Sequence, residues 1–128
     1  MSTYTFTSES VCAGHPDKIC DQISDAIVDA ALAKDPRSRT GIETVVGANR
    51  ICLFGEIKTK SKINFEKVAR DTIKRLGYKV PAWGFSQKSV FSNAVHEQSP
   101  EISLGIDQVN ADIIGAGDQG MMFGFAVN

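Results

Sequence analysis

The sequence predicts an α+β fold: a two-layer sandwich with a mostly antiparallel sheet and helices on one face. Three observations carry this. One long segment has apolar residues at helical spacing, two strand-like runs are joined by a short polar connection, and a second short helix precedes further strand-like segments. The order reads helix, two strands, helix, strand, strand.

The first helix is expected over residues 16–33. Pro16 suits the first turn, where a missing N–H costs nothing. Ile19, Ile23, Ala26, Ile27 and Ala30 fall on one face, and Asp35-Pro36 closes the segment. Residues 41–46 and 51–59 read as strands. Gly47-Ala48-Asn49-Arg50 between them is a hairpin connection, so the pair should be antiparallel. A second helix should run from about Phe65 to Leu76, with Asn64 as N-cap, Gly77 as C-cap and Phe65, Val68, Ile73 and Leu76 facing inward. Tyr78–Phe85 contains Pro81 and Gly84 and reads as irregular or edge. Residues 88–96 look like another strand. Residues 98–114 lack a period and read as a long loop, Gly115–Gly120 is a glycine-rich turn, and Met121–Val127 is a final strand.

Composition narrows the function classes. The chain has 128 residues, 42% apolar and 23% charged, with 14 Lys+Arg against 15 Asp+Glu. An ordinary apolar fraction and a net charge of −1 argue against disorder and against nucleic-acid binding by bulk charge. No apolar run approaches the roughly 18 residues of a membrane helix. The polar N-terminus carries no secretory pattern, so a cytoplasmic protein is expected. Cys12, Cys20 and Cys52 form no CxxC pair and read as reduced thiols. With only two histidines, His15 and His96, a structural zinc site is not expected.

Gly14-His15-Pro16-Asp17-Lys18 holds the parts of a metal–polyphosphate site. Glycine allows close backbone approach, a helix start offers free N–H groups and partial positive charge, His15 and Lys18 add donors, and Asp17 suits a hard cation. An ordinary helix start with an acidic first turn would carry the same residues. Asp17, Asp21, Asp25 and Asp29 recur every fourth residue, the pattern of a solvated face, and Asp17 alone adjoins the His-Pro turn. Glu43 and Glu56 sit in otherwise apolar strands, where a carboxylate either faces solvent or needs a partner or cation. Gly115–Gly120 matches G-x-G-x-x-G literally, but a strand-like run follows it rather than a helix, so a dinucleotide fingerprint is rejected. Gln98 opens the long loop, which is suited to close as a lid over a polar substrate.

Taken together, these segments resemble the N-terminal part of S-adenosylmethionine synthetase (methionine adenosyltransferase). The resemblance rests on Phe-Thr-Ser-Glu-Ser-Val at 6–11, Gly-His-Pro-Asp-Lys-Ile at 14–19, Asp-Gln-Ile-Ser-Asp-Ala at 21–26, Glu43-Thr44, Gly55-Glu56-Ile57, Gln98-Ser99-Pro100 and Gly-Ala-Gly-Asp-Gln-Gly-Met-Met-Phe-Gly at 115–124. It implies a transferase acting on ATP and L-methionine with Mg²⁺ and K⁺. It also implies that His15 contacts the ATP phosphates, with Lys18 in support; that Asp17 is a magnesium ligand and Glu43 belongs to the potassium site; and that Glu56, Gln98 and Asp118 bind methionine. By the same resemblance, residues 1–97 are the N-terminal domain, 98–114 the gating loop and 115–128 the start of the next segment. Members of that family are far longer, and their later domains supply further phosphate-binding residues. They assemble as dimers or tetramers with sites between subunits. The chain is therefore expected to be a fragment or part of a split enzyme, inactive or weakly active alone; the alternative is a non-catalytic relative that binds or regulates a full-length subunit.

Overall fold

In the computed structural model the chain divides into two units, Met1–Glu97 and Gln98–Asn128. The structure describes residues 3–99. Asp118, most of the expected gating loop, and the glycine-rich turn and strand after it lie outside the described residues.

The first unit is an α+β arrangement, as expected. Its elements are α1 (Pro16–Leu32), β1 (Arg39–Gly47), β2 (Arg50–Lys58), α2 (Phe65–Arg75), a 3₁₀ turn (Pro81–Trp83) and β3 (Val90–Glu97). The sheet order is β1-β2-β3. β1 and β2 are antiparallel, from Arg39 opposite Lys58 to Gly47 opposite Arg50. That register leaves Ala48 and Asn49 as a two-residue loop. Both have positive φ, 45° and 59°, the backbone of a type I′ hairpin. β3 returns parallel to β2, so the sheet is mixed, and α2 lies on the crossover.

The core lies between the helices and one sheet face. Ile19, Ile23 and Ile27 of α1 and Ala69 and Ile73 of α2 meet Ile42, Ile51 and Leu53 of the strands. The spacing of four in α1 and two in the strands is what puts these residues on single faces. Ala26 and Ala30, expected in the helix stripe, are half-buried at its margin, while Ala31 is fully buried. Thr44 is buried on the helix side of β1 and its hydroxyl is 2.8 Å from that of Ser24, a bond that satisfies a core-facing polar atom and ties β1 to α1. On the sheet's other face Val45, Phe54 and Val90 are exposed.

α2 ends in a Schellman motif: Gly77 N–H donates to Lys74 O and Tyr78 N–H to Ile73 O. The cap itself is Leu76, and Gly77, expected as C-cap, stands one residue beyond it with φ +96°. This positive φ is why a glycine follows the helix.

At the far end of α1, Asp35 ties three segments together. Its carboxylate accepts from the backbone N–H of Lys60 (2.8 Å) and of Arg37 (3.2 Å) and from the Thr59 hydroxyl (3.4 Å). The Lys60 N–H bond foremost holds the Asp35 carboxyl below its ordinary value near 3.8. A depressed folded-state value stabilises the fold above the unfolded value and is lost as pH falls through the folded one. Asp35→Ala should therefore destabilise the protein near pH 6, with the gap to the parent narrowing toward about pH 2. Thermal unfolding across that range checks this; a gap independent of pH would refute it.

Candidate active site

Four residues before α1 fold into a tight turn. His15 N–H donates to Cys12 O at 3.0 Å, and His15 is then the helix N-cap. Its Nδ1 accepts from the Asp17 backbone N–H at 3.2 Å. An acceptor Nδ1 carries no proton, so in the neutral ring the proton resides on Nε2, which remains able to donate. The same Nδ1 is 3.8 Å from the Asp17 carboxylate, too far for a hydrogen bond. The Asp17 side chain is exposed, in the first helical turn.

Behind this turn lies an open cleft of about 270 Å³ between α1 and β1. Asp17, Cys20, Asp21 and Ser24 line it from the helix; Glu43, Thr44, Val45 and Val46 line it from the strand. Glu43 and Val45 belong to one face of β1, Thr44 and Val46 to the other, so the cleft straddles the edge of the sheet. Asp17 and Glu43, 26 residues apart in the chain, thus share one concavity. Burial pushes the Cys20 thiol up, and the Asp17 and Asp21 carboxylates push the same way, against a bond to the Val46 backbone.

The remaining candidates are distributed as follows. Lys18 bonds Asp21 Oδ2 at 3.1 Å on the helix surface. Glu56, on β2, lies opposite Gly41 on β1 and opposite His96 on β3. Glu43 lies opposite Phe54, two positions along the same sheet face, so the two glutamates are diagonal neighbours, about 7–8 Å apart by strand geometry. Gln98 follows directly after β3. Asp21, Cys20 and Ser24 also line the cleft, where none of them was expected. The four-residue acidic repeat was the available signal for Asp21; nothing in the sequence marked the other two.

The oxygen donors suit a hard cation rather than a soft one. Among the described residues no group of three or more His, Cys, Asp or Glu side chains is placed to hold a metal ion. Asp17, Asp21 and Glu43 in the cleft are carboxylates of the kind a hard cation takes alongside water and substrate phosphates. Among the described residues no helix is long and apolar enough to cross a membrane.

Fold and cleft together define an α+β domain with an acidic cleft opening at a helix start. The chain belongs to the family of the S-adenosylmethionine synthetase N-terminal domain, whose sequence profile matches residues 3–100. It is 52% identical to the S-adenosylmethionine synthase of Gloeobacter violaceus over 98% of the chain and 32% of that protein. It is 48% identical to that of Synechococcus sp. (strain CC9902) over 100% and 33%, and 49% identical to that of Porphyromonas gingivalis over 98% and 30%. The chain spans about a third of the length of the curated relatives it matches.

Proposed function

We propose that the chain supplies the N-terminal part of an enzyme that forms S-adenosylmethionine from ATP and L-methionine. The methionine sulfur lone pair attacks C5′ of the ribose, the C5′–O bond breaks, and triphosphate leaves with the bonding electrons, to be hydrolysed to phosphate and diphosphate. The observation that carries this reading is the joint placement of Asp17 and Glu43 in one cleft beside His15, in a chain matched along its length by synthases of this name.

In this reading His15 donates from Nε2 to a phosphate oxygen near the breaking bond, and Lys18 adds positive charge from the next turn. Asp17 would hold Mg²⁺ and Glu43 would belong to a K⁺ site, and such cations would supply positive charge against the departing triphosphate. Glu56, Gln98 and Asp118 orient methionine, and residues 98–114 close to exclude water. The enzyme works in the cytoplasm as a homo-oligomer, and the rest of its cationic machinery comes from outside these 128 residues.

The test is S-adenosylmethionine formation, read by mass spectrometry with ATP, methionine, Mg²⁺ and K⁺. We expect little product from the chain alone and restoration when the remaining two thirds of a relative is supplied in trans. Failure of restoration with all partners folded would count against the reading. Asp118→Asn, expected to abolish the restored product, is the control.

A further inference from the structure

We propose that Tyr78 and Gln22 are positioning residues that set the Cys12–Asp17 turn from two sides. The inference rests on the reading of that turn as the triphosphate and cation contact. Three consecutive carbonyls of the turn are each held by a different donor. Cys12 O accepts from His15 N–H at 3.0 Å, Ala13 O from Gln22 Nε2 at 3.1 Å, and Gly14 O from the Tyr78 hydroxyl at 2.6 Å. Fixing three successive carbonyls fixes the peptide planes that carry His15 and aim its ring. The ring is then held by the Asp17 N–H on Nδ1, which leaves Nε2 as the donor.

Both struts are themselves immobilised. The second amide hydrogen of Gln22 donates to Lys18 O at 3.0 Å, so both of its donors are in use. Tyr78 is placed by the Schellman motif through its N–H to Ile73 O, and its carbonyl accepts from Gln87 N–H at 3.0 Å. Its ring meets Phe85 edge to face, with centroids 5.5 Å apart. Tyr78 thus transmits the position of the α2 end to the start of α1, across 64 residues of chain. Gly14 is matched to this contact: a Cβ there would stand 3.2 Å from the Tyr78 hydroxyl oxygen.

A tyrosine present only for packing would not need its hydroxyl, because the ring alone packs against the core. Tyr78→Phe keeps the ring and removes the strut. In the ¹⁵N-labelled chain we expect the Asp17 amide of Tyr78→Phe to exchange about tenfold faster, the equivalent of one lost hydrogen bond. The His15 ring nitrogens should move toward the average of the two tautomers, while β2 amides that exchange by local opening hold and the melting temperature falls by no more than the few degrees that one hydrogen bond is worth. Gln22→Met should shift the same two signals in the same direction. Unchanged His15 and Asp17 signals in folded Tyr78→Phe would overturn the proposal, as would an equal acceleration throughout α1 and the sheet. Binding of Mg²⁺–tripolyphosphate to the unaltered chain, complemented in trans with the remaining two thirds of a relative, is measured separately. Its absence would overturn the ligand reading of the turn, whatever the Tyr78 result, so the two failures are distinguishable.

Discussion

Gly55→Ala is expected to unfold the domain or cost on the order of 3 kcal/mol or more. Gly55 lies within β2, opposite Ile42, with φ +108°. A Cβ there would stand 2.0 Å from the carbonyl oxygen of Gly41 and 3.2 Å from Ile42 Cα. Both obstacles are backbone, so relief requires moving β1 away from β2 and breaking ladder bonds beside the core. Gly41→Ala is the paired control: its Cβ would meet the Glu56 Cγ at 3.6 Å, ordinary contact. We expect Gly41→Ala to fall within about 0.5 kcal/mol of the parent. Urea denaturation of both variants checks the contrast; equal midpoints would refute it.

Asp17→Asn is expected to weaken Mg²⁺-dependent triphosphate binding by roughly a hundredfold while leaving stability nearly unchanged. The two effects separate because of where the residue sits. Its backbone N–H, which the His15 Nδ1 caps, survives the substitution, and its carboxylate is exposed in the first helical turn. Loss of that charge beside the helix start costs about 0.3–1 kcal/mol of folding stability at most. Even partners one shell removed from a metal change its affinity by about 10–100-fold, so a direct ligand belongs at the upper end or beyond. Titration calorimetry with Mg²⁺–triphosphate, alongside thermal unfolding, reads both quantities. Unchanged affinity would remove Asp17 from the cation site; a large drop in melting temperature would make its role structural.

Local patterns made most of the described fold readable in advance. Pro16 and the four-residue isoleucine spacing delimit α1, and the short polar connection between two apolar runs implies the hairpin. The parallel pairing of β3 was not readable, because Val90–Glu97 carries the same pattern whichever way it runs. Its direction follows from the α2 crossover, and Arg70 helps fix it by donating to Ser89 O at 3.0 Å. The site divides in the same way. His15 and Asp17 are neighbours in sequence, and their shared turn was legible. The approach of Glu43 to Asp17 across the sheet edge, and of Tyr78 to Gly14, are tertiary facts with no local signature. Family resemblance supplied the roles assigned to Glu56, Gln98 and Asp118, which no spacing implies.

The crossover that makes β3 parallel to β2 also has a consequence during synthesis. Arg50 pairs with Val90, 40 residues further along the chain. At ribosomal rates of about 5–20 residues per second, β2 emerges roughly 2–8 s before the strand that completes it. The hairpin with β1 forms within microseconds, so for that interval β2 presents an open row of amides and carbonyls to other nascent chains. The speed of translation through residues 59–97 therefore sets how long the half-built sheet is open to wrong partners.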